Sequence, residues 1–472
     1  MKRTAVILFV IMATVCLSGC SISLSDETAP AASDVSDTDL PVISMSTGDP
    51  SIITASSVEE TDGEDNTEIE YEEIYDPVGK EYSVMCAGRN EVTLAFVGDV
   101  GFAQGYATIN KYRSNGSDIH NSIDEGVLSA MQGADIMMAN NEFPYSDRGT
   151  PTPNKTYTFR ADPKDVHIMK DMGVDIVSLA NNHAYDYGPD ALIDTVDILN
   201  DAQLPFVGAG KNFDEASRPA YFHANGHIIS YVSATQIERY GNPDTKEATA
   251  DSPGVLRTLE PSKAVAVIKE AAANSDFTVM YVHWGSESTD LVEQSQRDLA
   301  RAYVDAGADL IIGDHSHCLQ GIDYVDGVPV FYSLGNFWFN SKTLDTCIVR
   351  ATLDETCSIS RLEFIPCIQR GSCVVTASDS EKARIIEYMR GISNYAEIDD
   401  NGEVTRSDKD HNTQNGQNTS PARKPAQETP DTDAAVPTAE ELMQLQEALT
   451  QTPETEPRTE EAMPDWAVDT GE

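Results

Sequence analysis

The middle of the chain, residues 91 to 398, alternates short apolar runs with amphipathic segments. The apolar runs are EVTLAFVGD, ADIMMANNE, VDIVSLANNH, FTVMYVHWG, ADLIIGDHSH and VPVFYSLGN, and each has the length of a buried strand. The segments PKDVHIMKDMG, GPDALIDTVDILNDA and LVEQSQRDLARAYVDAG have the apolar spacing of helices. The alternation predicts an α/β fold, a layered sandwich of central mixed sheets flanked by helices.

The pattern changes after residue 345. The runs TCIVRATLD, ISRLEFIPCIQ and SCVVTAS follow one another closely, and the helix-like KARIIEYMRGI comes after them. We predict that residues 346–398 extend the sheet of the 91–345 domain with antiparallel strands and a helix, and do not form a separate domain.

Acidic segments with few apolar residues flank this region. Residues 21–90 are rich in Ser, Thr, Asp and Glu, and residues 399–472 in Pro, Thr and Glu. Such segments bury too little apolar surface to offset the entropy of ordering, so we predict a disordered linker and a disordered tail. The net charge of −46 argues against nucleic-acid binding, which requires a basic surface.

The first 20 residues read as an export signal, with Lys2 and Arg3 before an apolar stretch too short to span a bilayer comfortably. The ending Leu17–Cys20 resembles the lipobox of bacterial lipoproteins, which implies cleavage before Cys20 and lipidation of its thiol. The alternative is an ordinary signal peptide with an incidental cysteine. The lipobox reading predicts an extracytoplasmic protein that a lipid anchors to the cell membrane.

Six further cysteines form an even set in a protein predicted to be exported. The pattern leaves two interpretations open, one or two disulfides near the C-terminal strands or thiols buried within strands. The residues are Cys86, Cys318, Cys347, Cys357, Cys367 and Cys373.

Polar residues able to bind a metal repeatedly follow the apolar runs. They are Asp99, Glu142, Asn182, His183, His283, His315 and His317. Any one of them alone fits a turn, a helix cap or a core histidine. Because loops converge beyond the carboxyl ends of strands in α/β sheets, the whole set predicts one crevice with a divalent metal centre of nitrogen and oxygen ligands. A dinuclear centre of this kind suits phosphoester hydrolysis.

At these residues the chain resembles the bacterial capsule synthesis protein CapA family, over about residues 93 to 340. The resemblance rests on FVGDV, NNEFP, VSLANNHAYDYG, GAG, HWGSE, GADLIIGDHSHCLQ and YSLGNFWF, in that order. It implies a calcineurin-like metallophosphoesterase fold and a role in poly-γ-glutamate biosynthesis. By position, Asp99 resembles the first metal carboxylate, Glu142 a bridging carboxylate, and Asn182 with His183 the phosphoesterase Asn-His pair, while His283, His315 and His317 resemble the remaining imidazole ligands.

The chain departs from the general phosphoesterase pattern at two of these positions, and in both it follows the capsule family. Gly101 stands where phosphoesterases have a histidine, which puts one metal position in doubt, and Glu142 replaces the usual aspartate. A third departure is from the capsule family itself, because Asp314 and Ser316 replace a histidine and a proline common there.

Two arginines in the loop YSDRGTPTPNKTYTFRADP, Arg148 and Arg160, are candidates to bind a phosphate or a glutamyl carboxylate. The alternative is that both are surface residues of a solvated loop.

Three functions fit these features. The first, which the resemblance implies, is synthesis, export or anchoring of poly-γ-glutamate or a similar anionic polymer at the cell surface, with membrane polymer-synthase partners. The second is a secreted metallophosphoesterase or related hydrolase unrelated to capsule, with Asp99, His183 and His283 as catalytic residues and Mn, Zn, Fe or Mg as the metal. The third is a polymer-binding module without catalysis.

Overall fold

The structure is a computed structural model that describes residues 73–88, 90–237 and 245–408. The predicted signal peptide with Cys20, the linker up to residue 72 and the tail from residue 409 lie outside the described residues. Within the described ranges no helix combines the length and the apolar character that crossing a membrane requires.

The strands and helices of the described region follow in chain order. The strands are β1 (Tyr75–Asp76), β2 (Glu81–Val84), β3 (Val92–Val100), β4 (Ile136–Asn141), β5 (Ile176–Ser178), β6 (Phe206–Val207), β7 (Ala209–Gly210), β8 (Ala220–Ala224), β9 (His227–Thr235), β10 (Gly254–Val255), β11 (Phe277–His283), β12 (Leu310–Asp314), β13 (Ile322–Val325), β14 (Val328–Phe331), β15 (Asn336–Trp338), β16 (Leu344–Leu353), β17 (Ile359–Arg370), β18 (Cys373–Thr376), β19 (Ala396–Ile398) and β20 (Val404–Arg406). The helices are α1 (Ala107–Ser114), α2 (Glu125–Gln132), α3 (His167–Asp171), α4 (Pro189–Asp201), α5 (Phe213–Ser217), α6 (Ser262–Ala273), α7 (Gln294–Ala306) and α8 (Asp379–Ile392), with 3₁₀ turns at Ile119–Asn121 and Pro163–Val166.

Two large sheets contain most of the strands. Sheet A has the order β18-β17-β16-β3-β4-β5-β6, with β15 also pairing with β3, and sheet B has the order β1-β2-β8-β9-β11-β12-β14-β13. In sheet A, β3 to β6 are parallel, whereas β16 joins β3 in antiparallel fashion and continues to β17 and β18. Strands β16, β17 and β18 are therefore antiparallel strands of sheet A.

The central strands are apolar on both faces because each sheet is covered on both sides. In β3, Leu94 and Phe96 face a core between the sheets, where they join Tyr231 and Tyr281 of sheet B. The alternate residue Val97 packs instead in a second core. The period of two along the strand thus distributes one apolar run between two layers.

Helices cover the outer face of each sheet. Helices α2 and α4 contribute Val127 and Leu192 to the core outside sheet A. Helices α6 and α7 contribute Ile268 and Leu299 to the core outside sheet B. The arrangement is helix, sheet, sheet, helix, which confirms the predicted layered α/β sandwich.

The carboxyl ends of parallel strands from both sheets carry the predicted site residues. In sheet A, Asp99 is the second-last residue of β3, and Glu142 follows the last residue of β4. In sheet B, His283 is the last residue of β11, and His315 follows the last residue of β12. The parallel pairing of β11 with β12 places His283 opposite Asp314. Layering of the two sheets therefore brings distant parts of the sequence to one crevice.

Two predicted boundaries differ from the structure. The linker prediction ran to residue 90, but β1 and β2 belong to sheet B, with β2 parallel to β8 and Tyr82 buried against Phe222. The tail prediction began at residue 399, but β20 pairs with β19, and the backbone N–H of Phe364 donates to Gly402. Both segments are polar in composition, and their order depends on strand pairing with the domain.

The six cysteines after Cys20 are all described, and all are free thiols. Cys347, Cys357 and Cys367 are buried. Cys347 and Cys367 lie within strands β16 and β17, and Cys357 lies in the turn between them, so free thiols and not disulfides describe this set.

Candidate metal centre

The seven predicted ligand residues lie together in one cluster, and Asp314 lies there with them. Three overlapping groups within it place their ligand atoms within 4.8 Å of one another, and these are Glu142 with His283 and His315, Asp99 with Glu142 and His317, and Asp99 with His283 and Asp314. Asn182 and His183 contact the same side chains. The side chains come from segments more than 200 residues apart in the chain.

Asp99 is fully buried at the end of β3, and three hydrogen bonds fix its position. Its backbone N–H donates to the Gly335 carbonyl oxygen at 3.0 Å. One carboxylate oxygen accepts from Asn140 Nδ2 at 3.0 Å, and the other lies 3.1 Å from His317 Nδ1. The carboxylate therefore points into the cluster with little rotational freedom.

Glu142 lies at the centre of the cluster. Its Oε1 is 3.6 Å from His283 Nε2 and 3.9 Å from His183 Nε2, and this oxygen has no hydrogen-bond partner among the described residues. Glu142 also belongs to two of the three potential ligand groups. This position fits the bridging carboxylate that the family resemblance implies.

His283 is fully buried. Its burial fits the alternative that it is an ordinary core histidine, but its contacts with the other candidate ligands do not. Its Nδ1 lies 2.7 Å from Asp314 Oδ1, while its Nε2 lies 2.7 Å from Asn182 Oδ1 and 3.0 Å from His315 Nδ1. A carboxylate on the second nitrogen of a histidine is the arrangement that orients metal ligands in proteins. Asp314 can serve this function.

The segment GDHSH turns sharply at both histidines. His315 and His317 have φ angles of 87° and 55°, in the left-handed region that residues with a side chain rarely adopt. Strained backbone of this kind persists where the surroundings over-determine it, often at functional sites. The turn directs His315 towards His283 and His317 towards Asp99.

His183 is held from behind by a carboxylate. Its Nδ1 lies 2.6 Å from Asp186 Oδ2, and its backbone N–H donates to Asn181 Oδ1 at 3.1 Å. The ring of Phe159 covers it, with 4.1 Å between ring centroids. Because Nδ1 is engaged, Nε2 is the atom presented to Glu142.

The pKa values of the buried carboxyl groups are shifted in different directions. Burial raises the pKa of Glu142 well above its ordinary value, and the carboxylates of Asp99 and Asp314 raise it further. Burial and Asp99 likewise raise the pKa of Asp314 well above its ordinary value. Burial acts on Asp99 in the same direction, but the hydrogen bond and charge of His317 outweigh it, and the pKa of Asp99 is lowered.

Most of the imidazoles are neutral for a similar reason. Burial lowers the pKa of His283 and of His315 well below the ordinary value, and neighbouring histidines add to the effect. Burial also lowers the pKa of His183 despite the adjacent Asp186. His317 is the exception, because Asp99 overcomes the effect of burial and raises the pKa of His317.

The donor set fits a divalent cation. Buried carboxyl groups are costly without a compensating charge, and here three of them lie among imidazoles of which only His317 has a raised pKa. Two buried oxygens, Glu142 Oε1 and Asp314 Oδ2, have no hydrogen-bond partner among the described residues. A cation held by Glu142 would satisfy the first of these oxygens and would reduce the like-charge repulsion among the three carboxyl groups.

Metal binding is expected to release protons and to strengthen as pH rises. Glu142 and Asp314 have raised pKa values, so at low pH each holds a proton that the cation must displace, as does His317. His283 and His315 have lowered pKa values and bind without losing a proton. Affinity should increase roughly tenfold per pH unit for each proton released.

Calorimetric titration with Mn²⁺ in two buffers of different ionisation enthalpy would count these protons. The wild-type protein should release at least one proton per ion, and the variant Asp314→Asn, which keeps the central Glu142, should release fewer. Equal proton release by the two proteins would contradict this assignment.

The departure at Gly101 has a structural counterpart. A Cβ atom at Gly101 would lie 2.7 Å from Cδ2 of Phe339, so the phenyl ring occupies the space of the missing side chain. The same ring packs on His317, with 5.0 Å between ring centroids. The chain therefore lacks both the histidine and the room for one.

The two predicted substrate-binding arginines do not join the cluster. Arg148 forms a two-oxygen ion pair with Asp194 of α4 and a weaker one with Asp190. Arg160 lies over the ring of Tyr187 and donates to the Arg148 carbonyl oxygen at 3.1 Å. The geometry thus gives Arg148 a structural partner, and substrate binding by either arginine stays a prediction.

Sequence reasoning missed several residues that organise the cluster. Asn140 bridges Asp99 and Glu142 through Nδ2, and Asn181 fixes Asn140 by donating to its Oδ1 at 2.9 Å. Asp186 and Lys155 form a buried ion pair behind His183. The motifs NNEFP and LANNHAYDYG contain three of the four, so doubled asparagines and an acidic residue three positions after His183 were the available signals.

A cleft of about 400 Å³ opens beside His315. The described residues that line it include Gln236, Ser286, Glu287 and Glu293 but no lysine or arginine. An anionic substrate that enters there would meet acidic walls. A bound cation would therefore be needed to attract it.

Comparison with known proteins gives one consistent result. The family model described as "Bacterial capsule synthesis protein PGA_cap" matches residues 93–341. The chain is 31% identical to the "PGA biosynthesis protein CapA" of Bacillus subtilis over 70% of this chain and 88% of that one, and 32% identical to the "Capsule biosynthesis protein CapA" of Bacillus anthracis over 64% and 73%.

Two further proteins are similar to the chain at lower sequence identity. The chain is 28% identical to a "Probable polyglutamine synthesis accessory protein" of Mycobacterium tuberculosis over 43% of this chain and 55% of that one. Among solved structures, the protein TT1561 of Thermus thermophilus aligns with a TM-score of 0.31 and 11% identity, over 58% of this chain and 97% of that one.

Proposed function

The chain belongs to the bacterial capsule synthesis protein family, and from this premise we propose that it acts in the synthesis, export or anchoring of poly-γ-glutamate or a similar anionic polymer through a metal-dependent hydrolytic site. The observation that carries the hydrolytic part is the buried Glu142 Oε1, which has no hydrogen-bond partner in the described part of the chain and lies among three imidazoles and two further carboxyl groups. A purely structural core would not retain such a costly group.

The chain's own residues have distinct functions in this proposal. Asp99, Glu142, Asn182, His283, His315 and His317 would hold the cation, which when bound would act as a Lewis acid and activate water. Asp186 holds His183 Nδ1, so Nε2 of the neutral imidazole is unprotonated and can accept a proton as a general base. Asp314 orients His283 from behind.

The acidic residues of the cleft limit how an anionic substrate could bind. Glu287 and Glu293 would repel a polyanion, so the scissile phosphoester or γ-glutamyl bond would have to reach the cation directly. Arg160 is the better candidate of the two arginines for a distal carboxylate or phosphate. Among the described residues its guanidinium contacts the Tyr187 ring and one carbonyl oxygen, whereas Arg148 is paired with the Asp194 carboxylate. Polymer-synthase partners in the membrane would supply the chain end.

The proposed hydrolysis is tested with the full-length protein loaded with Mn²⁺ or Zn²⁺. We expect stoichiometric metal after purification without chelator, and metal-dependent hydrolysis of either p-nitrophenyl phosphodiesters or γ-glutamyl oligomers. Activity on the phosphodiesters alone would favour a phosphoesterase unrelated to capsule. If the protein binds metal and retains the polymer but hydrolyses neither substrate class, it is a binding module. The Phe339 ring in place of a metal-binding side chain at Gly101 supports that alternative.

We also propose that Cys20 anchors the chain to the outer side of the cell membrane, on the basis of the Leu17–Cys20 sequence. Mass spectrometry of the mature protein should find an N-terminal, lipid-modified Cys20. A Cys20→Ser variant should leave the membrane fraction. A mature chain that starts elsewhere and carries no lipid would contradict the anchor.

A further inference from the structure

Lys155 is a buried lysine beside the candidate metal centre. Its side chain is 4% exposed and its partner Asp186 is fully buried. Lysine is almost never buried unless it is paired. By contrast Lys164, nine residues further along, is 72% exposed and pairs with Asp162 at the surface. The burial of Lys155 therefore calls for a specific function.

Asp186 connects the loop of residues 149–159, here termed the docking loop, to the metal centre. One Asp186 oxygen accepts from Lys155 Nζ at 2.5 Å, and the other accepts from the backbone N–H of Phe159 at 2.6 Å. The Asp186 carbonyl oxygen accepts from the backbone N–H of Thr152 at 2.8 Å. A Cβ at Gly149 would lie 2.0 Å from the Tyr187 carbonyl oxygen, so the loop lies directly against this segment.

Lys155 also contacts the ligand pair itself. Its Nζ donates to the carbonyl oxygen of Asn182 at 2.6 Å while it binds Asp186. Asn182 Oδ1 reaches His283 Nε2, and the second Asp186 oxygen holds His183 Nδ1. The Lys155 ammonium group thus links the backbone of Asn182 to the Asp186 carboxylate, which orients His183.

We propose that Lys155 is a positioning residue for Asn182 and His183. It fixes the Asn182 backbone and the Asp186 carboxylate together, so that both side chains point at the metal and the docking loop stays closed over them. The metal-binding part of this inference rests on the proposed function. Because binding and loop closure then stabilise each other, each should strengthen the other.

The test compares Lys155→Met with the matched control Lys164→Met in the full-length protein, with Co²⁺ as the probe. Loss of an outer-shell contact typically costs about 10- to 100-fold in metal affinity, and we expect a decrease in this range for Lys155→Met. The visible absorption spectrum of bound Co²⁺ should change, because ligand geometry changes. Lys164→Met should match the wild type in affinity and spectrum.

A second readout needs no metal. In metal-free protein labelled with ¹⁵N-histidine, the Nδ1 resonance of His183 should report its hydrogen bond to Asp186, and Lys155→Met should shift it. The single variant leaves the Asp186 charge buried and unpaired, which can unfold the protein. The double variant Lys155→Met, Asp186→Asn removes both charges and should still show the weakened Co²⁺ affinity.

The outcomes separate the two proposals. If the wild type binds no Co²⁺ but Lys155→Met shifts the His183 resonance, the positioning function of Lys155 stands and the metal-dependent function fails. An unchanged His183 resonance together with wild-type Co²⁺ affinity in Lys155→Met, or wild-type affinity in the folded double variant, would overturn the inference.

Discussion

Replacement of His283 by alanine is expected to abolish metal binding and any hydrolysis that depends on it. His283 is fully buried and contacts Asn182, Asp314 and His315. Its replacement by alanine removes one candidate ligand and also the contacts that hold these three residues in place. Metal affinity should fall by more than the roughly 100-fold upper value seen for loss of an outer-shell contact.

The matched control for this variant is His167→Ala. His167 lies on the surface at the start of α3, where its side chain is 54% exposed and pairs with Asp171. Exposed pairs of this type contribute little to stability. Metal content by mass spectrometry and affinity by calorimetry should distinguish the two alanine variants. Wild-type metal content in His283→Ala would remove His283 from the ligand set.

Replacement of Glu142 by glutamine is expected to have opposite effects on stability and on metal binding. Glu142 is fully buried, and the carboxylates of Asp99 and Asp314 oppose its ionisation, which raises its pKa well above the ordinary value. Glutamine has the same shape and no charge. At pH values above the ordinary glutamate pKa, the free energy of unfolding of the metal-free protein should therefore rise, by up to about 1.4 kcal/mol for each pH unit between that pKa and the raised one.

The same substitution should nearly abolish metal binding, because it removes the central carboxylate of two of the three ligand groups. The stability difference between the metal-free variant and the metal-free wild type should depend on pH. A group with a raised pKa in the folded state stabilises that state at low pH and loses this contribution as pH rises through the folded-state value. The advantage of Glu142→Gln over the metal-free wild type should therefore grow as pH rises.

Urea unfolding of both proteins with chelator, and again with Mn²⁺, would measure these effects. The wild type should gain stability from Mn²⁺ according to its affinity, whereas Glu142→Gln should gain little. An exposed substitution, Glu125→Gln at the start of α2, supplies the control, since its side chain is 79% exposed. A metal-free Glu142→Gln protein that is less stable than the wild type would show that the buried carboxyl is not a cost to the fold.

Much of the fold follows from local patterns. The apolar runs that predict β3, β4, β11 and β12 are long and apolar on both faces, as buried parallel strands require. The 13-residue helices α4 and α7 likewise match their predicted segments. By contrast, β1, β2 and β20 are two to four residues long and polar, and only their pairing with the domain orders them.

Some residues of the candidate site could likewise be identified from the sequence, and others could not. A polar residue at the carboxyl end of a buried strand is visible in sequence, and this rule alone finds Asp99, His283 and His315. Lys155 follows no strand and shares a loop with Arg148 and Arg160, so sequence reasoning favoured the arginines. Its burial depends on the docking loop meeting Asp186, a contact between residues 31 positions apart in the chain.

The amino-acid sequence by itself determined the layers of this protein, the types of ligand and the family, because strand periodicity, residue chemistry and motif order are local properties. Only the tertiary structure decided which atoms meet. It placed Glu142 Oε1 among the imidazoles, put Asp314 behind His283, filled the space at Gly101 with Phe339 and directed Arg148 to Asp194. These choices follow from the packing of one sheet against the other and from loop contacts, which have no signal in any single segment.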